Sequence, residues 1–149
     1  MSDFIVKIIP VLSDHTVKGE DAERITKWLK SRINAERIIY RTSDQPEFVD
    51  CGSNLNRITC PACEAELSFD WWGEAMQASF ESSGFTDLYT VLKCCDKKTS
   101  LNDLRYDAPC GFSCVEIDIY NPAETLNKDC LRQIQEMIGC EICLIYSHL

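Results

Sequence analysis

Cys60-Pro61-Ala62-Cys63, answered thirty-one residues later by the adjacent pair Cys94-Cys95, constrains this chain more than any other feature. Four thiols in two tight groups fit a tetrahedral Zn²⁺ site better than they fit disulfides. In the first group a proline stiffens the turn, so that both sulfurs face one point. The second group lacks the two-residue spacer. Adjacent Cβ atoms on a strand point to opposite faces, so Cys94 and Cys95 share one metal only where the chain turns. The polar run Asp96-Lys97-Lys98-Thr99-Ser100 supplies a place for that turn. The predicted ligands are therefore Cys60, Cys63, Cys94 and Cys95. The competing reading is four reduced core thiols, since Cys is among the most buried residue types.

A chain of 149 residues makes one compact domain, or one domain carrying an insertion. The start, Met1 to Lys7, lacks a basic segment leading into a long apolar core, so it reads as a cytosolic N-terminus. No apolar run approaches the ~20 residues that cross a bilayer. In a reducing compartment, ten cysteines point to metal ligands, core packing or redox chemistry. Charge is lopsided: residues 1–44 carry 8 Lys+Arg against 7 Asp+Glu, and residues 45–149 carry 7 against 17, for a net −9. Such a surface repels phosphate backbones, which makes nucleic acid a poor partner. It suits solubility or a basic protein partner.

Residues Phe4 to Leu12 read as a buried strand. Ala22, Ile25, Trp28, Leu29 and Ile33 form the apolar stripe of a helix over Glu20 to Ile33. Arg37 to Arg41 and Phe48 to Cys51 are short strand candidates around a loop with Pro46. Glu66 to Asp70 reads as a strand before a helix over Gly73 to Ser82, with Trp72, Ala75, Met76, Ser79 and Phe80 inward and Gly84 as its stop. Asp87 to Cys94 reads as a strand delivering the second cysteine pair. Cys114 to Tyr120 alternates, placing Val115, Ile117 and Ile119 inward and Glu116, Asp118 and Tyr120 outward. A last helix takes Asn121 as N-cap and Pro122 at its first position, and ends at Gly139. Cys140 to Ser147 returns as a strand, expected inside the sheet beside the first one. The pattern predicts an α+β fold: a mixed sheet with helices on one face, and a zinc-ribbon-like insertion over residues 57–98.

The knuckle, Trp71-Trp72, Cys94-Cys95, the run Thr99-Ser100-Leu101-Asn102-Asp103-Leu104-x-Tyr106-Asp107-x-Pro109, Gly111-Phe112 and Asn121-Pro122 together resemble a group of uncharacterised bacterial proteins. The resemblance spans residues 57–139 and implies a cysteine metal knuckle as part of the fold. It implies no activity.

Other chemistry is thinner. Cys140-Glu141-Ile142-Cys143 has thioredoxin-like spacing, but it follows a helix C-terminus, where the dipole disfavours a thiolate. Cys51, Cys110 and Cys114 are the available substitutes should one of the adjacent pair not bind metal. His15 and His148 carry no local motif. Four thiolates make a closed structural site rather than a catalytic one. Asp103, Asp107, Glu116 and Asp118 offer carboxylates for acid/base work, against the plainer reading that they are solvated. Trp71-Trp72 reads first as core packing. No phosphate loop, nucleophile elbow or metalloprotease motif occurs. Two readings of function follow. One is a non-enzymatic, zinc-stabilised binding protein of the bacterial cytoplasm, such as an acidic inhibitor or immunity protein facing a basic toxin. The other is a thiol- or carboxylate-dependent enzyme using Cys110, Cys114 or the Asp103/Asp107 pair.

Overall fold

The computed structural model describes residues 3–148. In chain order the elements are β1 (Phe4–Pro10), α1 (Gly19–Arg32), β2 (Arg37–Val49), β3 (Ile58–Thr59), β4 (Glu66–Leu67), α2 (Phe69–Ser83), β5 (Tyr89–Val91) and β6 (Lys98–Ser100). A 3₁₀ turn (Leu101–Asp103), β7 (Arg105–Tyr106), β8 (Gly111–Tyr120), α3 (Lys128–Ile138) and β9 (Ile142–His148) complete the chain. The main sheet has the order β2-β8-β1-β9, and each of its ladders is antiparallel. β1 and β2 therefore run parallel with β8 between them, and β8 and β9 run parallel with β1 between them. Two interlocked split β-α-β units of this kind make the ferredoxin-like arrangement. The fold is α+β, with α1 and α3 against one face of the main sheet.

The apolar periodicity explains that face. Val6, Ile8, Ile38, Ile117 and Ile119 from the sheet pack against Ile25 and Leu29 of α1 and Cys130, Ile134 and Ile138 of α3. Helix α1 follows its stripe, with Glu20 and Asp21 in the first turn and Lys30 and Arg32 in the last, matching the dipole at both ends. Helix α3 begins later than its sequence suggests. Asn121 is not its cap: it sits at φ 49°, and its Oδ1 accepts the Phe4 N–H at 2.9 Å. The cap is Asn127, whose Oδ1 accepts the Cys130 N–H at 2.8 Å. Gly139, at φ 81°, ends the helix as expected.

Three further expectations change. The two strand candidates flanking Pro46 are one strand, β2, whose register against β8 shifts between Thr42 and Glu47. Pro46 lies in that irregular stretch, where a missing N–H costs no ladder bond. Helix α2 starts at Phe69, because the Ser68 hydroxyl accepts the Trp71 N–H at 3.1 Å and caps it there. That leaves only Glu66–Leu67 as strand, and Phe80 is 60 % exposed rather than inward. Finally, β9 does lie beside β1, but at the edge of the sheet and not inside it. The segment from Gly52 to Asn54 shields this edge: Gly52 bridges to His148, and the Asn54 Nδ2 donates to the Tyr146 carbonyl at 2.8 Å. Gly52 is required there. Its φ is 62°, and a Cβ would lie 2.7 Å from the Ser147 Oγ.

The chain from residue 50 to residue 110 connects β2 to β8 and, past the Gly52 to Asn54 segment on the β9 edge, leaves the main sheet. It carries a three-stranded sheet, β4-β3-β7, and a hairpin, β5-β6. A second core binds this segment to its stem: Ile58, Cys60, Leu67, Leu88, Leu92, Leu101 and Leu104 gather around Phe112 of β8. Phe112 is fully buried, with Phe48 and Phe85 ring centroids at 5.3 and 5.2 Å.

Edge position notwithstanding, β9 pairs with β1 at seven positions, and its Ile145 is fully buried against Ile9, Val49 and Cys51. Removing residues 142–149 therefore opens β1 and one core together. We expect the truncated chain to show no cooperative thermal transition by circular dichroism; a transition like that of the full chain would contradict this assignment.

Candidate metal centre

The two cysteine groups sit in two turns of the same build. In the first, between β3 and β4, the Cys60 N–H donates to the Ala65 carbonyl at 2.8 Å and the Glu64 N–H to the Cys60 carbonyl at 3.0 Å. Glu64 takes φ 66° to close the turn. In the second, between β5 and β6, the Leu92 N–H donates to the Lys97 carbonyl and the Asp96 N–H to the Leu92 carbonyl, both at 2.8 Å. Asp96 takes φ 59°. Position by position, Leu92 stands where Cys60 does, Cys95 where Cys63 does, and Asp96 where Glu64 does. Leu92 and Cys60 are both fully buried, anchoring each turn in the second core.

This correspondence explains the adjacent pair. Cys94 and Cys95 lie in a turn rather than on the strand expected over Asp87 to Cys94, since β5 stops at Val91. The alternation of strand side chains therefore does not apply, and both sulfurs reach the same point. Cys94 supplies the sulfur that the first position, a leucine here, does not.

The sulfurs of Cys60, Cys63, Cys94 and Cys95 all lie within 4.8 Å of one another, a donor set able to hold a metal ion. Across the two turns, Cys63 and Cys94 are 3.4 Å apart and Cys60 and Cys95 3.9 Å. The set is graded in depth: Cys60 is buried, Cys95 half-buried, and Cys63 and Cys94 exposed. Lost hydration opposes a Cys60 thiolate. The N–H groups of Cys63 and Ala62, 3.4 and 3.3 Å from its sulfur, and then the thiols of Cys94 and Cys63 together outweigh this and hold the thiol down at about 6. Lost hydration and then the thiols of Cys63, Cys60 and Cys95 push Cys94 up to about 12.

The remaining packing confirms the plain reading of the tryptophans. Trp71 and Trp72 pack on the second core, and the Trp72 Nε1 donates to the Tyr106 Oη at 3.2 Å. Tyr106 passes the chain on, donating to the Leu101 carbonyl at 2.6 Å.

The other thiols lie elsewhere. Cys51, Cys110 and Cys143 belong to the small core around Ile9, Val49 and Ile145, and Cys114 points to the Ser13 carbonyl. Burial pushes Cys51, Cys110, Cys114 and Cys143 all up, the opposite of what a nucleophilic thiol requires. The pair Cys140 and Cys143 divides between two cores, Cys140 packing on the helix side and Cys143 on the opposite face. His15 lies with its Nε2 2.7 Å from the Ile138 carbonyl, at the end of α3, and His148 stacks on Phe4. Family models, curated proteins and solved structures give no match to this chain.

The carboxylates hold the larger surprise. Asp107 is a loop fastener, its Oδ1 accepting the Asn56 N–H at 2.9 Å; the N–H groups of Asn56 and then Arg57 hold its carboxyl low. Asp118, expected on a solvated face, is only 2 % exposed, and its Oδ1 has no hydrogen-bond partner among the described residues. Alternation in β8 is correct; the assumption that its second face is open is not. Glu116 lies two residues away on that face. Burial, then the hydrogen bond to Asp118 and its charge, push Glu116 up to about 8, with Lys7 and Arg41 only partly opposing.

A carboxyl raised on folding holds a proton that the unfolded chain has released. The folded state then binds more protons between the ordinary value of 4.5 and about 8, and stability falls as pH rises through that window. Glu116→Gln keeps the size and shape of the side chain and removes the titration. We expect the difference in melting temperature between variant and wild type to grow in the variant's favour from pH 5 to pH 9. Parallel profiles would contradict a raised Glu116.

Proposed function

We propose that this chain is a zinc-stabilised binding protein of the cytoplasm that turns over no substrate and engages a basic protein through its acidic surface. The observation that carries the reading is the convergence of four thiols from two turns of equal build. Zn–S bonds of about 2.3 Å in a tetrahedron place sulfurs about 3.8 Å apart. The cross-turn separations of 3.4 and 3.9 Å bracket that value. An all-thiol set favours zinc over magnesium or calcium, which prefer oxygen. Bound there, zinc would act as a cross-link between the two turns, a ribbon-like arrangement; four thiolates leave no open position for water or substrate.

Further features support a binding role. Burial pushes the thiols of Cys110 and Cys114 up, and Asp107 is engaged by backbone groups. Ten free cysteines suit a reducing compartment. No helix among the described residues is long and apolar enough to cross a membrane. A net charge of −9 favours rapid encounter with a basic surface, of the kind an inhibitor or immunity protein meets in a basic toxin.

Elemental analysis of the purified chain should find about one zinc per molecule. Its removal by a chelator should expose four thiols and lower the melting temperature by roughly 10 °C, since each kcal/mol is worth about 2–4 °C at this size. Cys60→Ser should do the same. A metal-free chain with an unchanged melting temperature would sink the stabilising role, and loss of a measurable reaction on chelation would replace it with a catalytic one.

A further inference from the structure

The four thiols are not equivalent, and their inequality has a chemical consequence. Cys60 is fully buried, its sulfur held by two backbone N–H groups. Cys63 and Cys94 are both exposed, they come from different turns, and their sulfurs are 3.4 Å apart, closer than the buried-side pair of Cys60 and Cys95 at 3.9 Å. A disulfide needs a sulfur separation of about 2.05 Å, so closing the outer pair takes a shift of a little over 1 Å at two exposed turns. Closing Cys60 onto Cys63 would instead pull a buried sulfur away from its N–H donors.

We propose that Cys63 and Cys94 form an oxidant-responsive pair, which hydrogen peroxide converts into a disulfide between the two turns, expelling the metal while keeping the turns tied. The metal-release part rests on the zinc-stabilised reading; the disulfide itself does not. In the first step one outer sulfur attacks a peroxide oxygen, the O–O bond breaks, and a sulfenic acid and one water result. In the second, the other outer sulfur attacks that sulfenic sulfur, the S–O bond breaks, and the disulfide and a second water form. Two sulfurs lose two electrons in all, and the peroxide gains them. Where the sulfurs start as thiolates, the two protons come from solvent. Cys60 and Cys95 then remain, too few to hold zinc tightly. The new covalent bond replaces the lost cross-link, so the segment stays assembled.

The test treats the full chain, purified under reducing conditions, with hydrogen peroxide. It follows zinc by a chromogenic chelator, disulfides by peptide mass mapping, and folding by melting temperature. Trypsin cuts after Arg57, Lys93 and Lys97, which puts Cys60 and Cys63 on one peptide and Cys94 and Cys95 on another. We expect these peptides to appear linked, fragmentation to place the bond at Cys63 and Cys94, and one zinc released per disulfide. The oxidised chain should melt above the reduced, chelator-stripped one, and thioredoxin-class reductants should restore zinc binding. Cys63→Ser should lose the link; if that variant fails to fold, the wild-type map still decides. A bond within one turn, or zinc retained with all thiols free, overturns the proposal and leaves the zinc-stabilised reading standing. A chain purified without zinc that still forms the Cys63–Cys94 bond overturns that reading and leaves the redox pair standing.

Discussion

The pairing of β2 with β8 is the constraint on which the rest of the molecule depends. At one end these strands are part of the main sheet, Ile38 opposite Ile119 and buried under α1 and α3. At the other end they are the stem of the segment between them, Phe48 opposite Phe112. One ladder therefore belongs to two cores. Ring contacts of Phe48 with Trp72, and of the buried Phe112 with Phe48 and Phe85, pack the stem, since aromatic pairs add directional packing to the area they remove from water. Without that stem the two cysteine turns would have no common frame.

Beyond the stem, regular structure is scarce. β3, β4 and β7 have two residues each, and β5 and β6 three. Strands this short do not hold together on backbone bonds alone. The segment relies on buried leucines, on α2 and its tryptophans, and on whatever joins the two turns. Small substructures with modest cores are commonly completed by a metal or a disulfide, and here the same four thiols are placed for either. The graded depth of those thiols matters physically. A buried Cys60 fixes the turn to the core, while exposed Cys63 and Cys94 leave the outer edge open to solvent chemistry.

The main sheet solves a different problem. Its helix-covered face is apolar, but the opposite face carries Lys7, Arg41, Glu116 and Asp118 close together. Lys7 reaches the Asp50 carbonyl at 2.9 Å, and Asp118 is sealed from water. Burial and the neighbouring Asp118 raise the half-buried Glu116 to about 8, which disfavours a further negative charge on this face. Charge on this face is thus compensated locally, which leaves the net negative surface to the exposed carboxylates.

The sequence by itself determined the stripe of α1, the left-handed stops at Gly84 and Gly139, the α+β class and the grouping of cysteines. These are properties of short windows, governed by side-chain periodicity and local backbone preference. Tertiary structure alone decided the rest. Asn121 and Asn127 are both good caps by residue type, and the choice fell to Asn127 because Asn121 is taken by the Phe4 backbone across the sheet. β2 continues past Pro46 because β8 is long enough to pair on both sides of the irregularity. Asp118 is buried in the central strand β8, between Lys7 of β1 and Ile39 of β2, a placement that an alternating pattern cannot express. The adjacency of Cys94 and Cys95 is the sharpest case. Read as strand, it separates the two sulfurs. Only the match in hydrogen bonding between residues 60–65 and 92–97 reveals the turn that unites them, and that match depends on two hairpins meeting on one stem.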